Sequence, residues 1–337
     1  MKIGPIDLDR DVLIVAEIGN NHEGDMALAE EMIAQAAQAG AHAVKFQSII
    51  PAHLVAPDQP ARLAQLGRYQ LSAENHVRLA QVARDNAIMF MSSPFSLDAV
   101  DLLAPLVPAM KVASGDNDHV VLLDRIAATG LPVILSTGMT DLDGAAFSAG
   151  TLCRAWAKAG IADPGLVLLH CVSSYPTPAD QANLRAIRTL AGLGHVVGYS
   201  DHTLGIEAAV LSVALGARVI EKHFTLSKTQ SEFRDHQLSA EPHELKALVE
   251  RVAEANALLG DGVKRVMPGE EATAQAARRS LCAAADLPAG TVLGLGDLAW
   301  LRPAGGMAPG AEWRILGRRL TRPVAAGDRL ALDMFEQ

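Results

Sequence analysis

A chain of 337 residues is long enough for two domains at ~150 residues each, or for one large barrel with a small module. Hydrophobic residues at 50% and charged residues at 20% exclude a disordered chain. With 29 basic against 38 acidic side chains and a net charge of −9, the balance argues against a nucleic-acid or anionic-membrane surface, so any anionic ligand must meet a local cluster of Lys and Arg.

Cys153, Cys171 and Cys282 are widely spaced, odd in number and without a CxxC pair, which fits neither a disulfide framework nor a structural zinc site and suits a reduced cytoplasm. The N-terminal MKIGPIDLDRDVLIVAEIG places acids ahead of its apolar run, unlike a signal peptide. No run approaches the roughly 18 apolar residues of a membrane span.

In chain order, eight short β-branched runs read as buried parallel strands: VLIVAEI (12–18), AVKFQ (43–47), IMFMSS (88–93), AMKVAS (109–114), PVILST (132–137), LVLLHCV (166–172), HVVGYS (195–200) and RVIEKHF (218–224). Between them lie helical segments, including 26–40, 73–87, 97–106, 119–130, 206–217 and 243–260, with Gly near several ends. This is the pattern of an α/β (β/α)8 barrel. The alternative, a doubly wound open sheet, would carry GxGxxG after its first strand, where Glu17-Ile18-Gly19-Asn20-Asn21-His22 stands instead.

After Gly260 the character changes. Barrel 1–262, linker 263–279 and a small β-rich domain 280–337 are the predicted boundaries. The polar stretch 261–280, if extended at ~3.3 Å per residue, would span ~65 Å. Within the small domain, Ala285–Leu293 and Arg322–Leu330 form a quasi-repeat that aligns Leu287 with Val324, Gly290 with Gly327 and Leu293 with Leu330.

Active sites of such barrels lie at the C-terminal ends of the strands. Each predicted strand ends in polar groups: Glu17; Lys45 and Gln47; Ser92 and Ser93; Lys111 and Ser114; Ser136 and Thr137; Ser173, Ser174 and Tyr175; Ser200, Asp201 and His202; Lys222 and His223. Lys45 and Lys111, in apolar strands, suit a ligand with a phosphate and a carboxylate; the plainer alternative is two solvated strand ends. His202 and His223, on neighbouring strands, suit a divalent metal of the manganese or magnesium type, the alternative being two hydrogen-bonded core histidines. His22, His53, His76, His195 and His243 read as surface or structural residues.

The segments AEIGNNHEGDMALAEEMIAQAAQAGAHAVKFQ (16–47), SSPFS (92–96), KVASGD (111–116), ILSTGM (134–139), YPTP (175–178), GYSDHTLGIEAAVLSVALGARVIEKHFTL (198–226) and the RRSL…LRPAGG…ILGRR tail resemble the sialic acid (nonulosonate) synthase family across essentially the whole chain. The resemblance implies a barrel followed by an antifreeze-like SAF domain. It also implies a transferase that condenses phosphoenolpyruvate with the open-chain aldehyde of an N-acylated aminohexose such as N-acetylmannosamine, releasing phosphate by C–O cleavage. By motif, His202 and His223 match the ligands of a divalent metal, Mn²⁺ with Mg²⁺ or Co²⁺ as alternatives. Lys45, Ser93, Lys111, Ser114, Ser136 and Ser200 match phosphoenolpyruvate-binding positions, and Glu17, Gln47, Tyr175, Asp235 and Arg302 match sugar-side positions, with Glu17 also placed for proton transfer. The family's arginine reaches the barrel of a neighbouring subunit, implying a domain-swapped homodimer. Asp116 in place of Glu, Ser173 in place of Asn and the lengthened segment 227–239 depart from the family pattern, all expected on the sugar side. The stretch 66–76 resembles relatives in legionaminate and spore-coat pathways, so a legionaminate-, pseudaminate- or spore-coat-type synthase is the alternative. Two further readings rank lower: a 3-deoxy-sugar-phosphate synthase, which would need more Arg or Lys for a second phosphate, and a non-catalytic sugar-binding barrel.

Overall fold

All eight apolar runs form strands: β1 (Leu13–Gly19), β2 (Ala43–Ser48), β3 (Met89–Pro94), β4 (Met110–Val112), β5 (Val133–Ser136), β6 (Leu166–Cys171), β7 (Val196–Asp201) and β8 (Val219–His223). The computed structural model describes residues 1–336. It divides into two compact units, Met1–Gly260 and Asp261–Gln337. In the first, the strands pair in parallel in the order β3-β2-β1-β8-β7-β6-β5-β4, and β3 and β4 adjoin at the seam of a nearly closed barrel. Parallel strands buried on both faces need apolar residues at every position, which is why the runs were nearly continuous.

Side chains alternate between the two faces of each strand. One parity, Leu13, Val15, Ala43, Met91, Ala109, Ile134, Val167, Leu169 and Val219, forms the apolar interior of the barrel. Ile3 and Leu8 join it from the N-terminal segment, whose Lys2–Ile3 and Ile6–Asp7 form a small hairpin. The opposite parity, including Ile14, Val44, Phe46, Val112, Leu135, Leu168 and Ile220, packs against the surrounding helices.

Those helices are fixed at their starts by side-chain caps. Asp25 accepts from the amides of Ala27 and Leu28 to open Met26–Gln38, Ser72 accepts from Asn75 to open Ala73–Asp85, and Asp141 accepts from Gly144 to open Leu142–Ala159. The helices Pro60–Tyr69 and Leu142–Ala159 lie outside the helical segments named from the sequence; Pro60–Tyr69 has Pro at its first turn and no side-chain cap. No helix among the described residues is long and apolar enough to cross a membrane.

In the second unit, β9 (Ser280–Ala283) pairs antiparallel with β10 (Leu298–Leu301). The quasi-repeat is structural: Leu287 and Val324, aligned in sequence, bond to each other through both amides at 2.9 and 3.0 Å. Gly290 and Gly327 share a left-handed φ of 87° and 86°, and Leu293 and Leu330 meet in one core. The stretch predicted as a linker is not extended throughout. Its residues Glu271–Ala277 are helical, as their Ala-rich composition favours, and the Gln275 carbonyl accepts from the Ala304 amide at 2.9 Å. The stretch 263–279 is therefore not an extended tether, and the ~65 Å reach expected of an extended chain does not apply.

Gly198 marks the tightest packing within the sheet. A Cβ there would point into the Val219 carbonyl and lie 2.5 Å from Leu169 Cδ2. Gly198→Ala should therefore lower stability by about 1–3 kcal/mol, an overpacking cost. An unchanged denaturant midpoint would refute this reading of the close approach.

Candidate active site

Continuing the interior parity toward the C-terminal ends of the strands replaces hydrocarbon with Glu17, Lys45, Gln47, Ser93, Lys111, Ser136, Cys171, Ser200, His202, Glu221 and His223, all of which line one cavity of about 1050 Å³. Its floor is a chain of alternating charges. Lys45 Nζ lies 2.6 Å from Glu17 Oε2 and 3.6 Å from Glu221 Oε1, and Lys111 Nζ lies 4.0 Å from Glu221 Oε2. Lys45 also donates to Ser93 Oγ at 3.2 Å, and Lys111 donates to Ser136 Oγ at 2.7 Å and to the Val112 carbonyl at 2.8 Å. Ser200 donates to Glu221 Oε1 at 3.4 Å. Gln47 donates to Glu17 Oε1 at 3.2 Å and accepts from Asn20 at 2.9 Å.

Burial disfavours each charge, and the neighbours decide the outcome. Glu17 is pushed up to about 7 by burial, with the Glu221 charge adding and Lys45 opposing. Burial also works against ionised Glu221, but Lys111 and Lys45 outweigh it and hold the carboxyl below its usual range. Burial disfavours the Lys45 ammonium, yet Glu17 and Glu221 more than compensate. At Lys111 burial prevails and lowers the value despite Glu221.

Above this floor His202 and His223 face each other with ring centroids 5.3 Å apart. His202 Nδ1 donates to the Val172 carbonyl at 2.8 Å, which leaves Nε2 as the free nitrogen. Burial opposes the His202 imidazolium, but Cys171 and the Val172 carbonyl outweigh it and raise its value. His223 Nδ1 is buried without a partner, and burial together with His202 keeps this ring neutral. An orphaned imidazole nitrogen beside a second imidazole with a fixed tautomer fits two protein ligands of a divalent cation. Among the described residues no group of three or more His, Cys, Asp and Glu is placed to share one, so the remaining positions would fall to water and substrate. Tyr175 packs on His202 at 4.1 Å, the Arg234 guanidinium lies 4.4 Å over the Tyr175 ring, and Arg234 pairs with Asp235 at 2.9 Å. Phe233 meets Tyr69 edge-on at 5.3 Å, closing that wall against the unpredicted helix.

Of the residues singled out in the sequence, Glu17, Lys45, Gln47, Ser93, Lys111, Ser114, Ser136, Tyr175, Ser200, His202, His223 and Asp235 all line this cavity. Arg302 is exposed in the second unit, directly after β10. Four strand-end groups face away: Ser92 bonds Ser48, Thr137 donates to the Leu169 carbonyl, and Lys222 pairs with Asp201 at 3.0 Å. They have the wrong parity. Asp116, expected on the sugar side, instead lies 3.9 Å from His119 and does not line the cavity, whereas Ser173 and Ser231–Asp235 do. His22 and His76 are buried, while His53 and His243 are exposed. Sequence reasoning missed Glu221; counting back two from His223 would have found it.

The NeuB family model matches residues 32–264 and the SAF domain model residues 278–336. An uncharacterized protein of Methanocaldococcus jannaschii is 42% identical over 323 residues, covering 95% of this chain and 93% of that one. The N,N'-diacetyllegionaminic acid synthase of Legionella pneumophila is 38% identical over 338 residues, covering 96% and 94%. Among solved structures, the N-acetylneuraminic acid (sialic acid) synthetase of Leptospira borgpetersenii in complex with citrate superposes with a TM-score of 0.75 at 34% identity, covering 81% of this chain and 94% of that one.

Because Glu17 titrates near 7 in the folded protein against 4.5 ordinarily, its stabilising contribution is complete below about 4.5 and is lost as pH rises through 7. Glu17→Gln, which mimics the protonated acid, should therefore gain thermal stability relative to the unsubstituted protein as pH rises from about 5 to 8. A pH-independent difference in Tm would sink that assignment.

Proposed function

The chain belongs to the NeuB family of sialic acid-type synthases, and on that premise we propose that it condenses phosphoenolpyruvate with the open-chain aldehyde of an N-acylated aminohexose and releases phosphate. The observation that carries this reading is the convergence of Lys45, Lys111, Glu17, His202 and His223 on one cavity of about 1050 Å³, which has room for two small substrates. Lys45 and Lys111, with Ser93, Ser114, Ser136 and Ser200, hold the phosphate and carboxylate of phosphoenolpyruvate by charge-assisted bonds. Gln47, Tyr175 and Asp235 orient the sugar along the opposite wall. In the reaction, carbon 3 of phosphoenolpyruvate forms the new bond to the aldehyde carbon, whose oxygen takes up a proton. Water adds to the cationic carbon 2 and gives up a proton; the carbon 2 hydroxyl then passes its remaining proton to the departing phosphate as the bond from carbon 2 to the phosphate oxygen breaks, leaving the ketone. Glu17, titrating near 7, is suited to move one of these protons. His202 and His223 would hold a divalent metal, Mn²⁺ or else Mg²⁺ or Co²⁺, which when bound supplies Lewis-acid polarisation of the aldehyde.

Two sugar readings remain distinct. A sialic-type synthase would take N-acetylmannosamine. The likeness to the Legionella protein favours a second reading, a legionaminate-type synthase using a differently substituted hexose, and the cavity wall from Leu66 to Tyr69 belongs to the stretch that supports it. Incubation with phosphoenolpyruvate, Mn²⁺ and a panel of N-acyl hexosamines should release phosphate with one class of sugar. His202→Ala and His223→Ala should each abolish metal-stimulated release while the fold survives. Activity that stays normal and EDTA-sensitive in either variant would refute the ligand assignment.

The SAF domain enters the same proposal through Arg302, which Pro303 disfavours from helical backbone and which the β10 end leaves exposed. In this reading the protein is a homodimer and Arg302 completes the sugar side of the partner's barrel. Mixing inactive Arg302→Ala with inactive His202→Ala chains under exchange should restore part of the activity, because one site then has an intact barrel and an intact arginine. No recovery would mean the arginine acts within its own chain or not at all.

A further inference from the structure

The reading above gives Glu221 no role, yet Glu221 faces three of the groups assigned to phosphoenolpyruvate. Its Oε1 accepts from Ser200 and lies 3.6 Å from Lys45 Nζ, and its Oε2 lies 4.0 Å from Lys111 Nζ. Both lysine separations exceed hydrogen-bond reach. The ammonium protons are directed elsewhere, from Lys45 to Glu17 Oε2 and Ser93 and from Lys111 to Ser136 and the Val112 carbonyl. Glu221 is thus held between the lysines by attraction rather than by directed bonds, with a single long hydroxyl contact. Lys45 also has Glu17 at 2.6 Å, but Lys111 has no carboxylate nearer than Glu221, and a buried ammonium without a counter-ion would be costly. With Glu17 ionised, the floor carries two positive and two negative charges, and an incoming anion then meets a neutral surface.

We propose that Glu221 sets the affinity of the barrel for anions, as a built-in carboxylate that competes with the ligand's phosphate or carboxylate for Lys45, Lys111 and Ser200. A site for a phosphorylated substrate whose product is free phosphate gains from such competition, since a floor with Lys111 uncompensated and Lys45 paired only to Glu17 would retain the product. The inference rests on the proposed phosphoenolpyruvate site, but its test separates the two.

The full chain is titrated calorimetrically with inorganic phosphate, and separately with phosphoenolpyruvate, in EDTA at low ionic strength. Glu221→Gln, nearly isosteric, should lower the Kd for phosphate by about ten-fold, the scale of one charge removed from a poorly hydrated contact. Adding Lys111→Ala should abolish the gain. Glu221→Asp, which keeps the charge, should leave the Kd close to that of the unsubstituted protein, and it serves as a second test should the Gln variant fail to fold. A Kd that is unchanged or larger in Glu221→Gln overturns the proposal and makes Glu221 a residue that positions the lysines. So does tightening by Glu221→Asp, and so does absence of phosphate binding in all variants. Tightening in a chain that does not turn over phosphoenolpyruvate would instead refute the substrate reading alone.

Discussion

Burying charge is unfavourable unless each charge finds a partner, and the mouth of this barrel is organised around that constraint. Four ionisable side chains, each almost fully buried, arrive from β1, β2, β4 and β8 because period-two alternation leaves them no other direction to point. Their order, Glu17, Lys45, Glu221, Lys111, alternates in sign, so no group is left without an opposite neighbour. Removing an inner member, Lys45 or Glu221, would strand Glu17 or Lys111 respectively at a cost of about 3–5 kcal/mol. Beneath this floor the same parity is entirely apolar, and the N-terminal hairpin contributes Ile3 and Leu8 to it, so the chemistry is confined to one end.

The opposite parity solves a different problem, that of attaching the polar mouth to its helices. Asp201 accepts from Lys222 at 3.0 Å and from the amide and hydroxyl of Thr203, fixing β7 to β8 behind the histidines. Behind β2 and β3, His76 Nδ1 donates to the Ser72 carbonyl, so its Nε2 must accept from Ser48 Oγ, which in turn must accept from Ser92. These buried networks are satisfied internally and leave the inward-facing donors free for ligands.

The barrel was legible because apolar runs and their helical spacers are local features. Strand ends shifted by a residue or so, which hardly affects the fold. The site was legible through its charged residues, but the rule used, any polar residue near a strand end, ignored which face each one occupies. It therefore admitted Ser92, Thr137, Asp201 and Lys222 and passed over Glu221, which lies within the strand between apolar and cationic neighbours. The cavity walls were harder to foresee. Tyr69, Phe233 and Arg234 lie outside the predicted strand ends, and their contacts depend on how a helix after β2 meets a loop after β8. The helix at Glu271–Ala277 was hidden by charge and by the Pro268-Gly269 pair just before it.

The loop between Val172 and Thr177 does more than cover β6. His202 Nδ1 donates to the Val172 carbonyl, the Thr177 amide donates to the His202 carbonyl at 2.9 Å, and Thr177 Oγ1 returns to the Val172 carbonyl at 3.2 Å. The imidazole and its backbone are clasped from both sides. A histidine free to rotate gives up side-chain entropy when it ligates an ion, whereas this one has already done so in folding. The proposed cation site, with only two protein ligands, would in this way gain grip from rigidity that other sites obtain from ligand number. Substitutions at Val172–Thr177 would then alter cation affinity without touching the cation.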